Sequence, residues 1–171
     1  FTWEQGTWVN EEGSMERAIV TAVVHDMSEA KVTISHVPDE PGIAARLFRT
    51  LADEDVNVDM IVQNVSNEGV TDLSFTVPMS QLDGAVAAAN GLGIGQVTSD
   101  DKIGKISLIG AGMKSNPGVA AQMFETLAEN GINIQMLSTS GIRISAIVDA
   151  GRTEDAVNVL HAAFELDRPV F

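Results

Sequence analysis

Hydrophobic positions along this chain switch between a spacing of two and a spacing near 3.6, and they do so twice in the same order. AIVTAVVHD (18–26) is apolar and β-branched, and predicts a buried strand. AKVTISHV (30–37) alternates and predicts another. From Pro41 the period lengthens: Ala44, Leu47, Phe48 and Leu51 mark one face of a helix, with Pro41 in its first turn. VNVDMIVQNVS (56–66) predicts a long strand, NEG (67–69) a turn, and VTDLSFTVP (70–78) an antiparallel return. SQLDGAVAAANGL (80–92) predicts a helix capped by Ser80, and IGQVTS (94–99) a closing strand.

The order then repeats. GKISLIGA (104–111) is a strand, Pro117–Asn130 a helix, INIQMLSTS (132–140) and IRISAIV (142–148) strands, and TEDAVNVLHAAFE (153–165) a helix with Thr153 as its cap. The correspondence extends to residue identity. PGIAARLFRTLADEDVNVDM (41–60) returns without a gap as PGVAAQMFETLAENGINIQM (117–136). Each copy therefore reads β-α-β-β-α-β, an antiparallel sheet under two helices, and the chain as an α+β pair of ferredoxin-like units. The expected boundaries are 1–17 for a linker with a short strand at Gly6–Val9, 30–99 for the first unit and 100–171 for the second. LDRPVF follows the last helix, so the second unit needs a closing strand. RPVF is one candidate; the longer and more apolar 18–26 is preferred. Val56, Val58, Met60 and Val62 line one face of their strand while Ile61 and Val65 lie on the other. Apolar positions on both faces predict association of units within or between chains.

Composition narrows the function. Hydrophobic residues make up 44% of the 171, enough for a packed core. There is no cysteine, which removes disulfides, thiolate nucleophiles and zinc–thiolate sites and fits a reducing cytoplasm. The net charge of −14 opposes phosphate backbones and anionic lipid. No apolar run approaches the ~20 residues of a membrane-spanning helix. The first residue is Phe, so a part of a longer protein or a processed product is expected.

Catalytic chemistry is not legible. GAGMKSNPG (110–118) and GLGIGQ (91–96) miss the phosphate-loop and dinucleotide spacings. His25, His36 and His161 are scattered, and no nucleophile elbow surrounds STS (138–140). No catalytic residue, metal ligand or cofactor is assigned. The helix starts are more informative. Asp39-Glu40-Pro41-Gly42 corresponds to Ser115-Asn116-Pro117-Gly118. The first helical N–H groups, at Gly42–Ala44 and Gly118–Ala120, lack intrahelical partners and attract a carboxylate. Asp39 suits an ammonium group, and Gln63 offers a donor and an acceptor. Asn57 and Asn133 recur at one repeat position. This inventory fits a small zwitterion such as an amino acid. The plainer alternative stays open: Pro-Gly only starts a helix and the Asn residues only cap a turn.

The segments SEAKVTI, PDEPGIAARLFRTLADEDVNVDMIVQNVS, TDLSFTVP and GKISLIGAGMKSNPGVAAQMFETLAENGINIQMLSTSGIRIS resemble the tandem ACT domains of bacterial aspartate kinase over about residues 18–165. The resemblance is nearest to the β subunit of the heterotetrameric enzymes, or the same region of the α subunit, and Met15 stands where a β-subunit start is expected. It implies a regulatory region without kinase activity of its own, since the family's Lys-Phe-Gly-Gly motif is absent. The implied ligand is threonine, with lysine the second candidate, and the implied effect is feedback inhibition of aspartate phosphorylation. The implied partners are a second copy, paired side by side through ACT sheets, and a catalytic domain or α subunit. Carried over by position, the effector site takes Asp39, Gly42, Ile43, Ala44, Asn57, Val58, Asp59, Gln63 and Ser66 from the first unit. The second unit supplies Asn116, Gly118, Val119, Ala120, Asn133, Ile134 and Ser140. Gly141 and Gln135 stand where the family usually has Glu, which alters the charge expected of the second pocket. Rival readings are an ACT sensor serving another enzyme, a dimerisation module without a ligand, and a self-contained enzyme.

Overall fold

The computed structural model describes residues 20–64, 68–111 and 116–166. The proposed linker, the Gly6–Val9 strand, RPVF and Ser66 lie outside these residues. Two four-stranded antiparallel sheets form, each covered on one face by two helices. The first unit contains β2 (Glu29–Pro38), α1 (Ile43–Asp53), β3 (Ile61–Gln63), β4 (Val70–Pro78), α2 (Leu82–Leu92) and β5 (Gln96–Asp100), with strand order β3-β4-β2-β5. The second contains β6 (Ile103–Gly110), α3 (Gly118–Glu129), β7 (Met136–Thr139), β8 (Arg143–Asp149) and α4 (Thr153–Ala163). Its fourth strand is β1 (Val20–Asp26), antiparallel to β6, which gives the order β1-β6-β8-β7. Only Met27 and Ser28 separate β1 from β2, so the chain crosses between units within two residues.

Each core fills by the predicted alternation. Val32 and Ile34 of β2 and Phe75 of β4 meet Leu47 and Leu51 of α1, with Phe48 and Phe75 edge to face at 5.8 Å. Ile106, Leu108 and Ala146 meet Met123, Leu127 and Leu160 in the second unit. Ser107 alternates with those core residues and so lies on the opposite face, where its hydroxyl shares a 2.8 Å hydrogen bond with Ser145. The first unit repeats the pair as Thr33 and Ser74, at 2.9 Å.

Several local expectations need correction. Among the described residues, the strand expected over 56–66 pairs regularly only at Ile61–Gln63, and that expected over 132–140 only at Met136–Thr139. Before β3 the edge is irregular: the Met60 N–H donates to the Thr76 hydroxyl at 3.2 Å, not to a ladder carbonyl. Pro41 precedes α1 instead of opening its first turn, and Gly42 holds the cap position. Ser80 does not cap α2; a 3-10 turn, Met79–Gln81, intervenes. Thr153 is the first residue of α4, its hydroxyl donating back to the Asp149 carbonyl at 3.3 Å. In both cases a 3-10 turn, Met79–Gln81 or Ala150–Arg152, intervenes between strand and helix, so the cap position falls to Gln81 and to Arg152.

The two sheets stay separate within the chain and touch through a small apolar cluster. Met60 of the first unit meets Met136, Ile103 and Ile147 of the second, with Val62 at its margin. Met60 and Met136 are the closing residues of the two repeat copies, so the contact has approximate twofold character.

Candidate functional site

A cleft of about 450 Å³ opens beside the start of α1. Its position follows from the end of β2. The pairing register shifts between Ile34 and Val37, and His36 adopts a left-handed conformation with φ 60°. The His36 N–H donates to the Asp72 carboxylate at 3.1 Å, and the Asp39 N–H to the Gly69 carbonyl at 3.0 Å. These bonds turn the strand into the loop 39–42. Gly42, at φ 97°, then aims the backbone into α1, a conformation that costs any residue with a Cβ.

Asp39 and Glu40 form an acidic wall, while Val37, Ile43 and Leu73 supply apolar surface. Gln63, from β3, also lines it. No side chain caps α1 and no acidic residue occupies its first turn. The Ile43 N–H donates to the Glu40 carbonyl at 3.3 Å, which leaves the following first-turn amides and the positive end of the helix dipole without a side-chain partner beside the cleft. The arrangement suits a carboxylate against the helix start, an ammonium group against Asp39 and Glu40, and a hydroxyl or amide against Gln63.

Of the first-unit residues singled out in the sequence, the cleft brings together Asp39, Gly42, Ile43, Ala44 and Gln63. Three others lie outside its lining. The Asn57 N–H donates to the Gln81 side chain at 2.8 Å, which in turn donates to the Asp55 carbonyl at 2.9 Å. Val58 packs against the first core. Asp59 points to the other unit and accepts from Lys105 at 2.6 Å.

In the second unit Asn116 precedes α3, and its carbonyl accepts from the Val119 N–H at 3.2 Å. Gly118 opens the helix, which again has neither a side-chain cap nor an acidic first turn. Val119 is buried in the second core, with Ala120 and Ile134 packed against it. Asn133 is exposed. The Ser140 N–H donates to the Arg143 carbonyl at 2.7 Å and so serves the turn between β7 and β8. Residues 112–115, the loop corresponding to the acidic wall, lie outside the described residues.

The sequence reading missed Val37 and Leu73, which face the cleft although their alternation marks them only as core. It also missed Lys105. That ammonium is hydrogen-bonded to Glu29 and Asp59 and lies 3.8 Å from Asp26. Burial pushes the Lys105 ammonium down, but the bonds to Asp59 and Glu29 outweigh it and hold it above the ordinary lysine range. The Ser28 hydroxyl and N–H, and then Lys105, hold Asp26 below the usual carboxylate range. Lys31, in the same repeat position as Lys105, donates to Gln135 and lies 3.9 Å from Asp100. The recurrence of Lys in AKVTI and GKISL was the available signal. Among the described residues no group of His, Asp and Glu is arranged to hold a metal ion, and no helix is long and apolar enough to cross a membrane.

The family model of the ACT domain matches residues 32–91 and 106–164. An aspartokinase of Mycolicibacterium smegmatis is 51% identical over 162 residues, covering 91% of this chain and 38% of the relative. An aspartate kinase of Pseudomonas fluorescens is 45% identical over 165 residues, covering 94% and 40%. The chain thus spans about two fifths of the length of the curated relatives it matches. Among solved structures, aspartokinase alpha and beta subunits give a TM-score of 0.80 at 42% identity, covering 86% of this chain and 99% of the other. The ligand-free regulatory subunit of aspartate kinase from Thermus thermophilus gives 0.82 at 37%, covering 85% and 99%.

Proposed function

This chain belongs to the ACT domain family, as the tandem-unit regulatory region of an aspartokinase, and from that membership we propose that it senses an amino-acid end product for a kinase region outside it. The observation that carries the proposal is the cleft at α1, where an uncapped helix start, the Asp39 and Glu40 carboxylates and the Gln63 amide converge on one small volume. A free amino acid offers a group to each. Threonine is the first ligand, since its hydroxyl suits Gln63. Lysine is the second, since its extra ammonium suits the acidic wall.

Inhibition requires the effector to bind one arrangement of the units better than another. A ligand in the cleft of one copy, covered by the exposed β3 edge or helix face of another, would favour a side-by-side pair of sheets and hold the kinase in its inactive arrangement. The role needs no cofactor, and aspartate phosphorylation stays with the catalytic domain or α subunit in the cytoplasm. Titration calorimetry with threonine, lysine and leucine tests this. Heat with threonine or lysine and none with leucine is expected. Silence with both polar amino acids at millimolar concentration would leave the dimerisation module as the better reading.

A further inference from the structure

Lys105 belongs to the second unit, yet its ammonium binds Glu29 at the start of β2 and Asp59 just before β3, both in the first. With Asp26 it ties together the end of β1, the crossover between units and the irregular edge that leads to Gln63. That edge is lightly held: β3 pairs for three residues, and the chain before it has only isolated bonds to β4. On its far side it meets the second unit, through Met60 in the apolar cluster and Asp59 at Lys105. The reciprocal contact is weaker in kind, because Lys31 finds the neutral Gln135 where Lys105 finds the carboxylate of Asp59. The node is also short of positive charge. One ammonium faces three carboxylates, and the second oxygen of Glu29 is buried without a hydrogen-bond partner among the described residues. Such a contact is sensitive to removal of its single cation, since the carboxylates left behind repel one another.

We propose that Lys105 is a positioning residue: it fixes the 56–63 segment of the first unit, and with it Gln63, so that the cleft at α1 takes its shape from the second unit. Movement between the units is then felt at the cleft, and occupancy of the cleft is felt between the units. Only the consequence for ligand binding rests on the reading of the cleft as an effector site.

Hydrogen exchange of the full chain, without ligand, tests the positioning role. In Lys105→Met, amides of 56–64 should exchange about tenfold faster while those of β6 and β8 keep their rates. Lys105→Arg should restore slow exchange. Lys31→Met should leave 56–64 unchanged, and Asp59→Asn added to Lys105→Met should speed that segment little further. Unchanged exchange in Lys105→Met, or a uniform rise across both units, overturns the proposal. Threonine affinity measured in the same variants should fall several-fold with Lys105→Met and recover with Lys105→Arg; an affinity indifferent to Lys105 overturns the link to the cleft. If the unaltered chain binds neither threonine nor lysine, the effector reading fails, while the exchange result still decides what Lys105 does.

Discussion

Lys105 donates to Asp59 at 2.6 Å across the boundary between the two units, and the repeat partners of these residues, Lys31 and Gln135, make the mirror contact without a second charge. The two contacts differ in that Lys105 meets the carboxylates of Asp59 and Glu29, whereas the corresponding positions around Lys31 hold Gln135 and the apolar Ile103. The first of these differences can be removed by mutation.

Gln135→Glu should create the missing ion pair with Lys31. The ammonium is half-buried and Gln135 is exposed, so the gain is modest, about 0.5 kcal/mol, and shrinks with added salt. Urea denaturation at low and high ionic strength checks it; a salt-independent change would mean that packing, not charge, is responsible.

Gly104→Ala should destabilise the second unit. A Cβ there would stand 1.9 Å from the Thr153 hydroxyl oxygen, at the point where α4 begins against β6. Relieving that overlap costs about 1–3 kcal/mol. Gly118→Ala, whose Cβ meets nothing within 4 Å, is the matched control and should be neutral or slightly stabilising. Equal melting temperatures for the two variants would contradict the packing described.

Gly42→Ala should cost about 1–2 kcal/mol through its backbone alone, because open space surrounds the position but φ is 97°. It should also weaken threonine binding, since relaxation of φ redirects the loop that carries Asp39 and Glu40. Calorimetry on the folded variant separates the two effects.

Threonine should raise the melting temperature, by the equivalent of about 2.7 kcal/mol at a hundredfold excess over its dissociation constant. Gln63→Ala and Asp39→Ala should lose most of that rise while melting near the parent without ligand. A full rise in both variants would move the ligand away from the cleft.

The Asp26–Ser28 hydrogen bonds and the Lys105 node should limit stability at opposite ends of the pH scale. Asp26 is held below its ordinary 3.8, so its contribution is present above that value and disappears as pH falls through the folded-state pKa. Lys105 is held above its ordinary 10.5, so its contribution is present below that value and disappears as pH rises through the folded-state pKa. Neutral pH leaves both intact. Melting curves across pH should show Asp26→Asn flattening the acid limb and Lys105→Met the alkaline limb.

Much of the fold was readable before any coordinates. The PGIAARLF and PGVAAQMF copies announced two equivalent helices, and period-two stretches announced the strands around them, because alternation and amphipathic spacing are local consequences of burying one face. Five of the cleft residues, Asp39, Gly42, Ile43, Ala44 and Gln63, were marked by turn chemistry, helix-start chemistry and family resemblance. Strand length was less legible. Val56 and Val58 are apolar because they pack against the core, but pairing requires a neighbour in register: the Asn57 N–H is taken by the Gln81 side chain and the Met60 N–H by the Thr76 hydroxyl, so regular pairing starts only at Ile61.

The sequence alone determined that there are two units of one kind, with helix starts fit to receive a small charged molecule and no legible catalytic set. The sequence also favours 18–26 as the closing strand of the second unit, and β1 takes that place; the tertiary structure decided that Asp59 turns away from the cleft to Lys105 and that the two sheets stay separate within the chain. Periodicity is written into neighbouring residues, whereas a bond between residues 46 positions apart depends on how two finished units come to rest against each other.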